Sequence, residues 1–106
     1  MKIGLVISQT DPETVWNAFS LANHSLAKKH DVRVFLMGKG VECEEISHKD
    51  FNVKQQMERF IDAGGEILAC GTCLRWRKKE GTKVCPMSTL DDLMALVEES
   101  DRVLTF

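Results

Sequence analysis

Apolar and polar positions alternate along this chain in blocks that predict a regular succession of strands and helices. Lys2 to Ser8 is an apolar run bounded by polar residues and predicts a buried strand. Asp11-Pro12-Glu13 then supplies an N-cap, a proline at the first helical position and an acid in the first turn. Val15, Ala18, Phe19, Ala22 and Leu26 recur at helical spacing, and Lys28, Lys29 and His30 place positive charge where the dipole favours it, so a helix with a core-facing stripe should follow. Val32 to Met37 is a second apolar strand close behind it, which predicts a right-handed βαβ unit with parallel pairing.

Gly38 to Asp50 reads as a polar loop holding Cys43 and the acids Glu42, Glu44 and Glu45, long enough to suggest a flap. Val53, Met57, Phe60 and Ile61 mark a second amphipathic helix, stopped by Gly64-Gly65. A third strand, Glu66 to Ala69 or Cys70, follows at once. After a basic segment from about Thr72 to Lys79 and a turn at Gly81, Ser88 or Thr89 caps a last helix with Asp91 and Asp92 in its first turns. Leu90, Leu93, Met94 and Val97 are assigned to its buried face, and Arg102 to Phe106 to a closing strand. The predicted fold class is α/β, a three-layer α/β/α sandwich with a mostly parallel sheet of about 4–5 strands, in one domain over residues 1–106.

Such sheets carry their sites outside the carboxyl ends of the strands, which is where Cys70 falls. The last helix has to deliver the chain from this edge to the opposite one, so segment 71–87 should leave and return on the site side. That topology brings Cys85 and Pro86 back toward Cys70.

Composition narrows the chemistry. With 14 Lys+Arg against 16 Asp+Glu and a formal charge of −2, only residues 75 to 79 form a basic cluster, so nucleic acid is not an expected partner. No apolar run is long enough for a spanning helix or a secretory core, and a cytoplasmic location is expected without membrane contact. A cytosolic setting keeps thiols reduced, which leaves the four cysteines as metal ligands, reactive groups or buried packing residues.

The motif Cys70-Gly71-Thr72-Cys73 admits four readings. Zinc wants two short-spaced pairs, and here a second pair is missing, so only fold proximity could join Cys43 and Cys85 to Cys70 and Cys73; no metal is expected. A thioredoxin-like disulfide fits the strand-to-helix junction, but the motif lies late in the chain and no strand-leading proline accompanies it. Two half-buried structural cysteines are the plainest reading. The fourth is a nucleophile: free amides at a helix start and nearby cations favour a thiolate, which makes Cys70 a candidate with Cys73 one turn on. Cys43, among acids, should be the least reactive thiol. Trp76 is either a partner contact or a cover over one end of the core. Gly38-x-Gly40 reads as a turn, and Asp11 and Glu13 would repel a phosphate beside the first strand, so no nucleotide, flavin or other cofactor is expected.

Several stretches carry a resemblance: Asp11-Pro12-Glu13-Thr14 with Asn17 and Leu21-Ala22, Phe35-Leu36-Met37-Gly38, Ala63-Gly64-Gly65-Glu66-Ile67, the Cys70-Gly71-Thr72-Cys73 turn, and Asp101 to Phe106. Together, over nearly the whole chain, they resemble the DsrE/DsrF-like family, most specifically in a cysteine at a strand end with an arginine seven residues on, here Cys70 and Arg77. The resemblance implies a small cytoplasmic α/β/α domain assembled as trimers or hexamers and acting in sulfur relay. Cys70 would take up sulfane sulfur as a persulfide from a donor protein and pass it to an acceptor, as a sulfurtransferase-like carrier. Cys73 would be able to resolve the persulfide, with Arg77 and Cys85 in support. Departures from the relay members are Cys73 itself and Lys78, which stands where a glycine commonly follows the arginine. They leave a second expectation in place: a non-catalytic oligomeric binding module whose Cys70 and Cys73 form a redox disulfide or a structural metal site.

Overall fold

A computed structural model describes residues 1–106. The strands are β1 (Lys2–Ile7), β2 (Asp31–Leu36), β3 (Glu66–Cys70), β4 (Met87–Ser88) and β5 (Arg102–Thr105). The α-helices are α1 (Pro12–Ala27), α2 (Val53–Asp62), α3 (Gly71–Trp76) and α4 (Leu90–Glu99). All neighbouring strands pair in parallel, in the order β4-β3-β2-β1-β5. The expected α/β sandwich is therefore present, and α4 does carry the chain from one edge of the sheet to the other.

Local chemistry explains where the helices begin. The Asp11 carboxylate accepts hydrogen bonds from the backbone N–H and hydroxyl of Thr14, at 3.0 and 2.9 Å, and these hold its carboxyl below the usual carboxylate range. The side chain of Asn52 caps α2 and that of Thr89 caps α4 in the same manner.

The pleat assigns the two faces. Leu5 and Ile7 of β1, Val34 and Leu36 of β2, and Ile67 and Ala69 of β3 are buried on the face covered by α1 and α2, which pack on each other with Phe19 edge-on to Phe60. On the other face Gly4 leaves room for α4: a Cβ there would meet Leu96 Cδ2 at 2.3 Å. Arg33, opposite Gly4 in register, donates to Glu99 at 2.9 Å and fastens the same helix.

Three local expectations need correction. Residues Gly38–Glu45 form a 3-10 helix with Gly40, Val41 and Cys43 buried, not a free polar loop, because Val41 and Cys43 have core volume to fill. Met87 and Ser88 add an edge strand that the pattern did not show; two residues are too few for a period to register. Of the residues assigned to the buried face of α4, Leu93 is half-buried, while Leu90, Met94 and Val97 are exposed. The helix instead buries Leu96 and lies over one side of the sheet with its apolar flank open.

Candidate functional site

Cys70 is the last residue of β3 and caps α3, so its thiol sits where the strand hands over to the helix. Its register partner is Ser88, whose hydroxyl donates to the Asp92 carboxylate in the first turn of α4. The motif's glycine is required by this approach: a Cβ on Gly71 would stand 2.9 Å from the Ser88 carbonyl oxygen. A cavity of about 480 Å³ opens here, lined by Cys70, Gly71, Thr72, Arg75 and Met87 and by the start of α4. Cys70 is only 5% exposed, so a reagent must enter this cavity to reach it.

Arg75 is the cation of that cavity. Its Nη1 donates to the thioether sulfur of Met87 at 3.7 Å, and it has no carboxylate within ion-pair distance. The sequence marked Arg75 only as one member of a basic run, because its orientation follows from the return of β4 beside β3.

Cys73 lies one turn on and faces the 3-10 helix. The backbone N–H of Gly38 donates to its sulfur at 3.2 Å. Its thiol pKa is raised, first by burial and then by its hydrogen bond with Cys70, with the Gly38 amide and the charge of Arg77 pulling the other way. Cys73 therefore tends to keep its proton and can offer it to the neighbouring sulfur.

Arg77 stands on this Cys73 side. It donates to the Cys73 carbonyl at 3.2 Å, reaches Glu42 at 3.8 Å and lies 5.2 Å from the centre of the Trp76 ring. Lys79 pairs with Glu45 at 2.7 Å, and the Thr82 hydroxyl donates to Glu44 at 2.5 Å. The acids of the 3-10 helix thus clamp segment 77–82 and neutralise part of the basic run.

The other two thiols are set apart. Cys43 is buried and donates to the Gln9 carbonyl at 3.5 Å; burial, then the charge of Glu42, pushes its pKa to about 12. Cys85 is also pushed up to about 12, by burial and then by Glu44 and Cys43. The returning segment does come back to this edge, with Met87 paired to Ala69, but Cys85 turns into the core near Cys43 and Glu44. No three His, Cys, Asp or Glu side chains converge as metal ligands.

These features make the protein a parallel α/β sandwich with a cysteine pair on the carboxyl edge of its sheet. The chain belongs to the DsrE/DsrF-like family, whose pattern it matches over residues 1–106. It is 27% identical to an uncharacterized protein of Methanocaldococcus jannaschii over the whole of both chains. It is 29% identical to an uncharacterized protein of Methanopyrus kandleri, over 98% of this chain and 93% of that one. Among solved structures the ychN protein from E. coli superposes with a TM-score of 0.89 at 24% identity, covering 100% of this chain and 99% of the other. A conserved protein of unknown function from Bacteroides thetaiotaomicron gives 0.78 at 16% identity, over 99% and 94%. These two likenesses speak for the fold. No helix is long and apolar enough to cross a membrane.

Proposed function

We propose that this protein is a cytoplasmic sulfur carrier in which Cys70 takes up sulfane sulfur as a persulfide and hands it to a partner protein. The observation that carries the proposal is the placement of Cys70 at the strand-to-helix turn inside a cavity that also holds the unpaired Arg75. Membership of a family associated with sulfur relay supports it. In the loading step the Cys70 thiolate attacks the terminal sulfur of a donor R–S–SH. One S–S bond forms at Cys70 as the donor's S–S bond breaks, and the donor departs as RS⁻. In delivery an acceptor thiolate attacks that same terminal sulfur and Cys70 returns as thiolate. Arg75 and the first amides of α3 offset the anionic charge in both steps, and Arg77 acts through Cys73.

Cys73 gives a second exit. Cys73, once its proton has passed to solvent base, attacks Cys70 Sγ; a Cys70–Cys73 disulfide forms, the terminal sulfur leaves as hydrosulfide, and an external thiol must then reduce the pair. The placement of the two cysteines at the start and one turn into α3 supports this branch and also a purely redox role.

Intact-mass analysis after incubation with a sulfane-sulfur donor tests the reading. A gain of about 32 Da on the peptide holding Cys70, reversed by reductant and lost in Cys70→Ser, is expected. A Cys70→Ser variant that loads equally well overturns it, and a Cys70–Cys73 disulfide as sole product replaces it with the redox pair.

The open apolar flank of α4, formed by Leu90, Met94 and Val97, supports assembly into a homo-oligomer, and the family resemblance favours a trimer or hexamer.

A further inference from the structure

Trp76 ends α3 with 80% of its surface exposed, six residues from Cys70, and contributes nothing to the core. Its indole is nevertheless held in place. Arg77 stacks 5.2 Å from the ring centre, and that guanidinium is itself fixed by the Cys73 carbonyl and by Glu42. A large aromatic surface that is exposed and pre-ordered forfeits little side-chain entropy when something covers it.

Residues 75 to 83 hold five basic side chains and one acid, Glu80. Arg33, Arg77 and Lys79 have carboxylate partners, whereas Arg75, Lys78 and Lys83, all within seven residues of Trp76, have none. Arg75 also lines the Cys70 cavity, so one of these cations stands at the thiol site.

We infer that Trp76 with Arg75, Lys78 and Lys83 is the docking surface for the acidic face of a protein that exchanges sulfur with Cys70. The surface belongs to the proposed carrier function and names the charge and anchor by which its partner is recognised. An acidic protein fits better than a nucleic acid because the free cations are few and sit on a chain of net charge −2.

The probe is a fluorescein-labelled Asp/Glu-rich peptide carrying one cysteine, compared with a Lys-rich peptide of the same length and with a single-stranded oligonucleotide. Anisotropy should show binding of the acidic peptide alone, weakened about tenfold by Trp76→Ala and by Lys78→Glu, and weakened again by added salt. Once persulfidated, the same peptide should load Cys70 faster than the Lys-rich one. A small neutral persulfide should load wild type and both variants at equal rates.

Equal binding of the two peptides, no effect of Trp76→Ala, or tighter binding of the oligonucleotide overturns the docking surface. A change of oligomeric mass in Trp76→Ala also overturns it, since the indole would then be covered by a second copy of the chain. Failure of the small persulfide to load Cys70 overturns the carrier reading while the peptide-binding arm still decides the surface.

Discussion

Gly38 and Cys73, 35 residues apart in sequence, meet through one hydrogen bond: the Gly38 N–H donates to the Cys73 sulfur at 3.2 Å. The bond joins the 3-10 helix after β2 to α3, so the second thiol is positioned by a segment far from it in sequence. Gly38 has a φ of +55°. Gly38→Ala should cost about 1–2 kcal/mol of stability, the penalty of a left-handed conformation for a residue with a Cβ. Denaturant unfolding of the variant against wild type measures it, and alkylation of Cys73 should change in rate at the same time.

The buried thiols make the protein sensitive to alkali. Cys43 and Cys85 have folded pKa values of about 12 against an ordinary 9.0. Below pH 9 both states keep these protons and the contribution is constant. Above it the unfolded thiols ionise and the folded ones do not, so the unfolded state binds fewer protons and stability falls until about pH 12. The expected slope is about −1.4 kcal/mol per pH unit for each thiol. Urea unfolding from pH 8 to 11 should show a flatter decline in the Cys43→Ala/Cys85→Ala double variant than in wild type.

The same burial sets an order of reactivity. At pH 8 a pKa of about 12 in place of 9.0 lowers the thiolate fraction roughly a thousandfold. Iodoacetamide followed by peptide mapping should therefore modify Cys43 and Cys85 far more slowly in the native protein than in the urea-unfolded chain.

Gly4 and Leu96 are coupled across β1 and α4. A Cβ on Gly4 would reach within 2.3 Å of Leu96 Cδ2, and Leu96 is fully buried. Gly4→Ala should cost about 1–3 kcal/mol by overpacking and Leu96→Ala about 2–5 kcal/mol by its cavity. The double variant should be more stable than the sum of the two losses allows. A double-mutant cycle in denaturant gives the coupling, and simple additivity would show that α4 does not rest on Gly4.

The exposed flank of α4 gives a prediction about assembly. Met94→Glu places a charge among Leu90, Met94 and Val97, on a surface the single chain leaves open. The variant should fold, with thermal stability of the isolated chain within about 0.5 kcal/mol of wild type. Its mass by light scattering should fall toward that of one chain, and an unchanged mass would remove α4 from the interface.

The succession of strands and helices was legible in the order of the amino acids alone. Each signal for it is local: the Asp11-Pro12 cap, the 3.6-residue stripe from Val15 to Leu26, and the short β-rich runs at Lys2, Val32 and Glu66 lie within a few residues of the structure they specify. The crossing of α4 to the far edge followed too, because connection rules leave few alternatives once the sheet is parallel. The position of Cys70 at a strand end was legible for the same reason.

The groups that surround that thiol were set by folding. Arg75 enters its cavity because two residues, Met87 and Ser88, pair with β3; Cys85 turns toward Cys43; and the acids of Gly38–Glu45 claim Arg77 and Lys79. The flank of α4 stayed open because a helix over one side of a sheet buries only the residues that face it, and Leu96 takes that place. These contacts join residues tens of positions apart. Their geometry is fixed by packing volume and ion pairing, which leave no periodic trace in the order of the amino acids.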